Sequence, residues 1–276
     1  MPWHATLDLS YRRDGERTTL QHRHNGPLRI LKSLYPEGAG ICHNVVVHPP
    51  GGLVGGDTLD ISVRAEPGAH ALISTPGATR FYRSDGAEAA QQVHLRVADG
   101  ARLEWLPLET IAYPDCRARN ALTMDIEPGG ECLGWDVCAL GLPAAGQAFT
   151  QGTLLQEVQW PGVWLERARI DAADTRLLNS PLGLAGQRAL GTLWLAQGTA
   201  WHDARREALL DTVRAALAGT APEVQAGATS PEARLLVVRA LAPQVEPLMA
   251  ALQRVWAALR EQAWGLGHTA PRIWRV

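Results

Sequence analysis

The sequence predicts a mainly β fold, in stacked layers of antiparallel or mixed strands, with a helical part at the C-terminal end. Three observations carry that expectation. Through the first 200 residues, apolar and polar side chains alternate in short runs, the period of a half-buried strand. Those runs are separated by residue pairs suited to tight turns, at a nearly constant spacing. After about residue 200 the apolar spacing lengthens to that of an amphipathic helix.

The first element is a hairpin. Trp3 to Tyr11 and Arg17 to Gln21 alternate in character and flank Asp14-Gly15, a favoured turn pair. A turn-centred unit then recurs three times. Leu59 to Val63 leads through Pro67-Gly68 to Ala71 to Thr75. Val93 to Val97 leads through Asp99-Gly100 to Leu103 to Leu106, and Leu122 to Ile126 through Pro128-Gly129-Gly130 to Leu133 to Val137. Turn glycines 68, 100 and 129 lie 32 and 29 residues apart. Such spacing fits stacked layers with a solenoid-like winding. A β-sandwich with hairpins of similar length is the other arrangement it allows.

Helical spacing begins at His202 to Ala218, with an apolar stripe at Leu209, Leu210, Val213 and Leu217 and Gly219 as a cap. Ser230-Pro231 reads as the start of a second helical stretch, with Leu235, Val238 and Leu241 as its stripe. Pro243 and Pro247 interrupt it, and helical spacing resumes from Pro247 to about Trp264. No flexible linker separates the parts. The expectation is one domain over 1–276, with a β-rich body at 1–200 and a helical part at 201–276.

Composition narrows the function classes. The chain has 276 residues, 46% hydrophobic, with a net charge of −2 and a pI near 6.5. That balance gives no basic stripe for nucleic acid. No apolar run approaches the ~18 residues of a membrane span, and Met1 to Arg13 has no signal-peptide core. A soluble cytoplasmic protein is expected. Cys42, Cys116, Cys132 and Cys138 form no C-x-x-C pair, which argues against structural zinc and a disulfide framework. Neither G-x-S-x-G nor H-E-x-x-H occurs.

The densest motif is Pro49-Pro50-Gly51-Gly52-Leu53-Val54-Gly55-Gly56-Asp57. A phosphate cradle needs a following Gly-Lys-Ser/Thr and a helix, and a strand follows instead. A tight structural turn is the plainer reading. Asp57 and Asp60, at the start of that strand, could both supply oxygen ligands. Cys42 and His43 are adjacent, so on a strand they point to opposite faces and do not share one ion. His22 and His24 can share a face, or be solvated edge residues.

The same glycine-rich stretch resembles the signature of the UreD (UreH) family of urease accessory proteins. Further matches follow in order: Gly26-Pro27-Leu28, Tyr35-Pro36-Glu37-Gly38 before Cys42-His43, and Ser74 to Arg83. Leu103-Glu104-Trp105-Leu106-Pro107-Leu108-Glu109-Thr110-Ile111, Gly141 to Phe149, and Pro271-Arg272-Ile273-Trp274 complete the series. The likeness covers about the whole chain. It departs at Leu108, where the family usually has glutamine, and at Leu142, where it usually has arginine.

The resemblance implies a non-enzymatic scaffold that binds apo-urease and the accessory protein UreF, and through UreF the GTPase UreG. It implies nickel carried transiently through an internal passage, with no permanently bound cofactor. The helical part from Asp203 to Gly265 is the candidate for much of the UreF contact. Asp57, Asp60 and Glu109 are the candidates for the nickel path, chosen among carboxylates that include Glu104, Glu166 and Asp171, with His43 as a transient imidazole site beside them. Spaced oxygen donors pass a dication on, where a dense His/Cys cage would trap it. Two competing readings are a metal-dependent enzyme with carboxylates and His43 around a fixed cation, and a β module for carbohydrate or peptide.

Overall fold

Each predicted strand-turn-strand unit folds as one corner of a winding rather than as a hairpin. The structure, a computed structural model, describes residues 2–267 and 269–275. The chain opens with β1 (His4–Asp14), β2 (Arg17–Asn25), β3 (Arg29–Ile30) and β4 (Ile41–Val47). Three turns of the winding follow. The first is β5 (Thr58–Ala65), β6 (His70–Ser74) and β7 (Thr79–Phe81). The second is β8 (Ala89–Val97), β9 (Arg102–Trp105) and β10 (Thr110–Ala112). The third is β11 (Cys116–Ile126), β12 (Glu131–Leu142) and the short β13 (Gln147–Ala148), leading to β14 (Gly152–Trp160) and β15 (Trp164–Asp171).

Equivalent strands stack in parallel register. A first sheet runs β15-β14-β11-β8-β5-β1-β2, parallel from β14 to β1 and antiparallel at both edges. The second begins β3-β4-β6-β9-β12, parallel from β4 to β12. β7, β10 and the end of β12 form a third parallel ladder. The result is a solenoid-like body of about four turns. The turn glycines stack: a Cβ on Gly129 would strike Asp99, and one on Gly100 would lie 3.9 Å from the Gly68 nitrogen.

Beyond β15 come a short α1 (Thr175–Asn179), β16 (Ala189–Gln197), α2 (Asp203–Ala218), β17 (Gln225–Glu232), β18 (Leu235–Ala242) and α3 (Val245–Trp264). The stretch predicted as helical from Ser230-Pro231 is therefore the end of β17, a tight turn and β18, which extend the second sheet through β16. The physical reason is burial on two faces. Leu235 and Val237 point between the sheets while Leu236 and Val238 point toward the helices, so the run reads as a central strand. Ser230 and Pro231 satisfy a helix-start pattern, but Glu232 instead binds the Arg234 backbone and guanidinium across the turn. Pro247 does not kink α3; it sits in the first turn, where its missing N–H costs nothing.

Two apolar cores result. One lies between the sheets; the other lies between the second sheet and the α2–α3 pair. Trp135, Trp194 and Trp256 are fully buried, and all four cysteines are buried and free. The C-terminal Trp274 packs against Trp135 and Trp256 and donates to Ser74 Oγ at 2.9 Å. Among the described residues no helix is long and apolar enough to cross a membrane.

The glycine-rich segment is a structural turn laid against β7. Leu53 N donates to Arg80 O at 2.7 Å and Tyr82 N to Leu53 O at 2.9 Å. A Cβ on Gly52 would overlap the Tyr82 ring and lie 2.8 Å from Arg80 O, and Gly56 needs a φ of +93°. Gly52→Ala is expected to cost ~1–3 kcal/mol, read as a lower urea midpoint at unchanged m. Gly77→Ala, where a Cβ meets open space, should stay within ~0.5 kcal/mol and serves as the control.

Candidate functional site

Strand register brings a line of polar side chains into the space between the sheets. Gln91, Asn120 and Gln156 stand abreast on β8, β11 and β14. Facing them, Asp136, Thr192 and Arg239 stand abreast on β12, β16 and β18. The two rows are joined. Gln91 Nε2 donates to Asn120 Oδ1 at 3.1 Å, Asn120 Nδ2 donates to Asp136 Oδ1 at 3.1 Å, and Gln156 Nε2 to Asp136 Oδ2 at 2.9 Å. Glu166 on β15 closes the line, accepting from Thr192 Oγ1 at 2.5 Å and from Arg239 Nε at 2.8 Å.

A cavity lies at each end of this seam. One, about 210 Å³, is lined by Leu59, Ile61, Thr75, Arg80, Gln91 and Trp105. The other, about 460 Å³, is lined by Asp136, Gln156, Glu166, Thr192 and Arg239 with apolar neighbours. Gln91 borders the first and Asp136 the second, and Asn120 bridges them. The surrounding sheet faces are largely apolar, so these groups satisfy one another by hydrogen bonding. Burial pushes the Asp136 carboxyl up to about 6; the Glu166 charge adds to this, while Gln156 and Asn120 hold it back. Burial likewise pushes the Cys116 thiol up to about 12 and the Cys138 thiol well above its ordinary value.

The four residues singled out in the sequence do not meet. Asp57 is buried near the smaller cavity. Its carboxylate accepts from Trp3 N at 2.8 Å and Val54 N at 2.9 Å, tying the glycine-rich loop to the N-terminal strand, and its charge reaches His48. Asp60 lies on the outer face of the first sheet, with Oδ2 2.6 Å from His4 Nε2. Glu109 is half-buried beside Arg80. His43 faces the helices, and Cys42 faces the other way, toward Asn44 and Tyr35. His22 and His24 stack on the exposed edge strand β2. Among the described residues, no three His, Cys, Asp or Glu side chains gather as a metal-holding group.

His43 belongs instead to a second polar assembly under α3. Its Nε2 lies 2.8 Å from Glu37 Oε1; Arg260 Nη1 donates to Glu37 Oε2 at 2.8 Å. Arg260 Nε sits 3.2 Å from Glu104 Oε2, too far off line for a hydrogen bond, so that contact is ionic. Glu104 also takes a hydrogen bond from Trp256 Nε1 at 2.7 Å and lies 2.8 Å from His70 Nε2. Burial pushes the Glu37 carboxyl up, but hydrogen bonds from His43 and Arg260 outweigh it and bring it down to about 2. Glu104 is also lowered, against its burial, by His70, Arg260 and Trp256.

The ordered matches noted in the sequence all fall on this frame: the glycine-rich turn beside the smaller cavity, Glu104 beneath α3, and Trp274 on the second core. A family model, that of the UreD urease accessory protein, matches residues 4–275. The chain belongs to the UreD family. It is similar to the urease accessory protein UreD of Variovorax paradoxus, 58% identical over 99% of each chain. It is also similar to that of Paracidovorax citrulli, 58% identical, and of Albidiferax ferrireducens, 57% identical, each over the full length of both chains. UreD proteins are accessory proteins rather than enzymes. The two departures from the UreD pattern are structurally quiet. Leu108 packs against the helix-side core while its N–H donates to Thr75 Oγ1, and Leu142 pairs with Gln147 in a short hairpin.

Proposed function

We propose that the chain guides nickel toward apo-urease through the seam between its two sheets, as a scaffold that binds urease and UreF directly and UreG through UreF. The observation that carries this reading is the unbroken polar line Gln91–Asn120–Asp136 joining two cavities inside an apolar body. Its donors are amide and carboxylate oxygens. A dication is held by such ligands loosely enough to move on. Asp57 sits toward one end, Asp136 in the middle, and Glu166 at the other. His43 and Glu104 belong to the contact that seats α3, and Asp60 faces solvent, so neither group borders the line.

Asp136→Asn keeps the shape of the seam and removes its buried charge. Nickel loading of urease at limiting metal is expected to fall about tenfold, the effect of ~1.4 kcal/mol on one step, while urease abundance and co-purification with UreF stay unchanged. Normal metal content in the urease of such a host would overturn the passage. The same readings in Asp60→Asn should match the parent protein.

A further inference from the structure

Arg239 stands at the surface end of the seam, on the rim of the larger cavity. It lies abreast of Thr192, which lies abreast of Asp136, so all three reach the same side of the second sheet. Its guanidinium grips Glu166 through Nε at 2.8 Å and Nη2 at 2.5 Å. Its side chain is 55% exposed and that of Glu166 25% exposed, at the rim of the cavity of about 460 Å³. Asp136, deeper in that cavity, is held by two amides and no cation.

We infer that Arg239 is a displaceable counter-ion at the mouth of this cavity, neutralising Glu166 at rest and giving it up to a divalent cation. The inference rests on the passage reading above and adds the group that governs when the mouth accepts or releases metal. The physical basis is competition for one carboxylate. A guanidinium this exposed is weakly held, because water screens the pair and solvates the freed side chain. A dication between Glu166 and Asp136 meets two negative charges and the Thr192 oxygen, and swinging Arg239 outward costs only that weak pair. When the ion departs, Arg239 returns to Glu166. The cavity is then left without an unpaired carboxylate at its rim, which opposes return of the metal. Arg239 touches no metal in this scheme; it is a positioning residue for release.

The test is a cycle of nickel affinities, measured by equilibrium dialysis of nickel chloride against the purified full-length chain. Arg239→Gln keeps a polar side chain at an exposed position, so folding is preserved; its thermal midpoint checks this. It is expected to bind nickel about tenfold more tightly, because Glu166 is no longer paired. Arg239→Lys retains the charge and should stay near the parent affinity. Arg239→Gln combined with Glu166→Gln should lose the whole gain. Parent-like affinity in Arg239→Gln, or an equal gain in the double variant, would overturn the counter-ion role. The urease loading assay of Asp136→Asn reports separately on the passage. Loss of loading there, with no affinity change in Arg239→Gln, would leave the passage standing and remove Arg239 from it.

Discussion

Arg260→Ala is expected to destabilise the fold by about 3–5 kcal/mol, the cost of stranding buried charge when one partner is removed. Arg260 is fully buried and stands between two carboxylates, Glu37 and Glu104, the second also fully buried. Both acids remain in place in the variant, with His43 and His70 as their remaining ion-pair partners among the described residues. The helix α3 would lose the contact that holds it to β9 and to the loop before β4. Urea unfolding of the variant measures the loss, and a change below ~1 kcal/mol would refute the network as a structural clamp. Adding Glu104→Gln to Arg260→Ala should restore part of the loss, since it removes one of the stranded charges.

The same network sets an acid limit. Glu37 has a folded pKa near 2 against an ordinary value of 4.5, and Glu104 is also lowered. A depressed carboxyl contributes stability that is present above its unfolded value and is lost as pH falls through its folded value. The clamp is therefore intact at neutral pH and is lost from about pH 4.5 downward.

What could be read in advance follows from how local each signal is. Turn pairs such as Pro67-Gly68 and Asp99-Gly100 fix their own backbone, and their spacing gave the period of the winding. Which strand each turn joins to which sheet is a long-range matter, and hairpins and solenoid corners share the same local pattern. β18 is not legible as a strand because Leu235 to Val238 is apolar at every position. A run buried on both faces has no period to distinguish strand from helix. Ser230-Pro231 just before it adds the pattern of a helix start.

The seam was hidden for a related reason. Asp57, Asp60 and Glu109 stand out beside dense motifs. Asp136 stands alone in Cys132-Leu133-Gly134-Trp135-Asp136-Val137-Cys138. Yet that run is apolar at both parities, so any polar residue within it must face an interior, whichever way it points. Asn120 is marked differently: it falls on the apolar parity of an alternating strand, in line with Ala118 and Leu122. Arg260 was legible on similar grounds, one turn after Trp256 on the apolar stripe of α3. The partners of these residues were not legible, because Gln156, Thr192 and Arg239 meet Asp136 and Glu166 only through strand register.

Asp136→Asn should stabilise the chain at neutral pH while impairing its work, and the sign of that effect separates a functional carboxylate from a structural one. The folded pKa of Asp136 is raised to about 6 from an ordinary 3.8, chiefly by burial. A raised carboxyl gives its full contribution below the unfolded value and loses it as pH climbs through the folded value. At 1.36 kcal/mol per unit, ionised Asp136 costs the fold on the order of 3 kcal/mol above about pH 6. Asparagine avoids that cost, but its amide lacks an assured acceptor, so the net gain is expected to be about 1–2 kcal/mol. The gain should be present near pH 8 and absent near pH 4, where the native carboxyl is itself neutral. Urea unfolding at the two pH values measures it. A variant less stable than its parent at both would mean that the charge serves the fold. A variant more stable at high pH and poorer at loading urease would mean that the fold carries an unfavourable buried charge because a passing dication needs one.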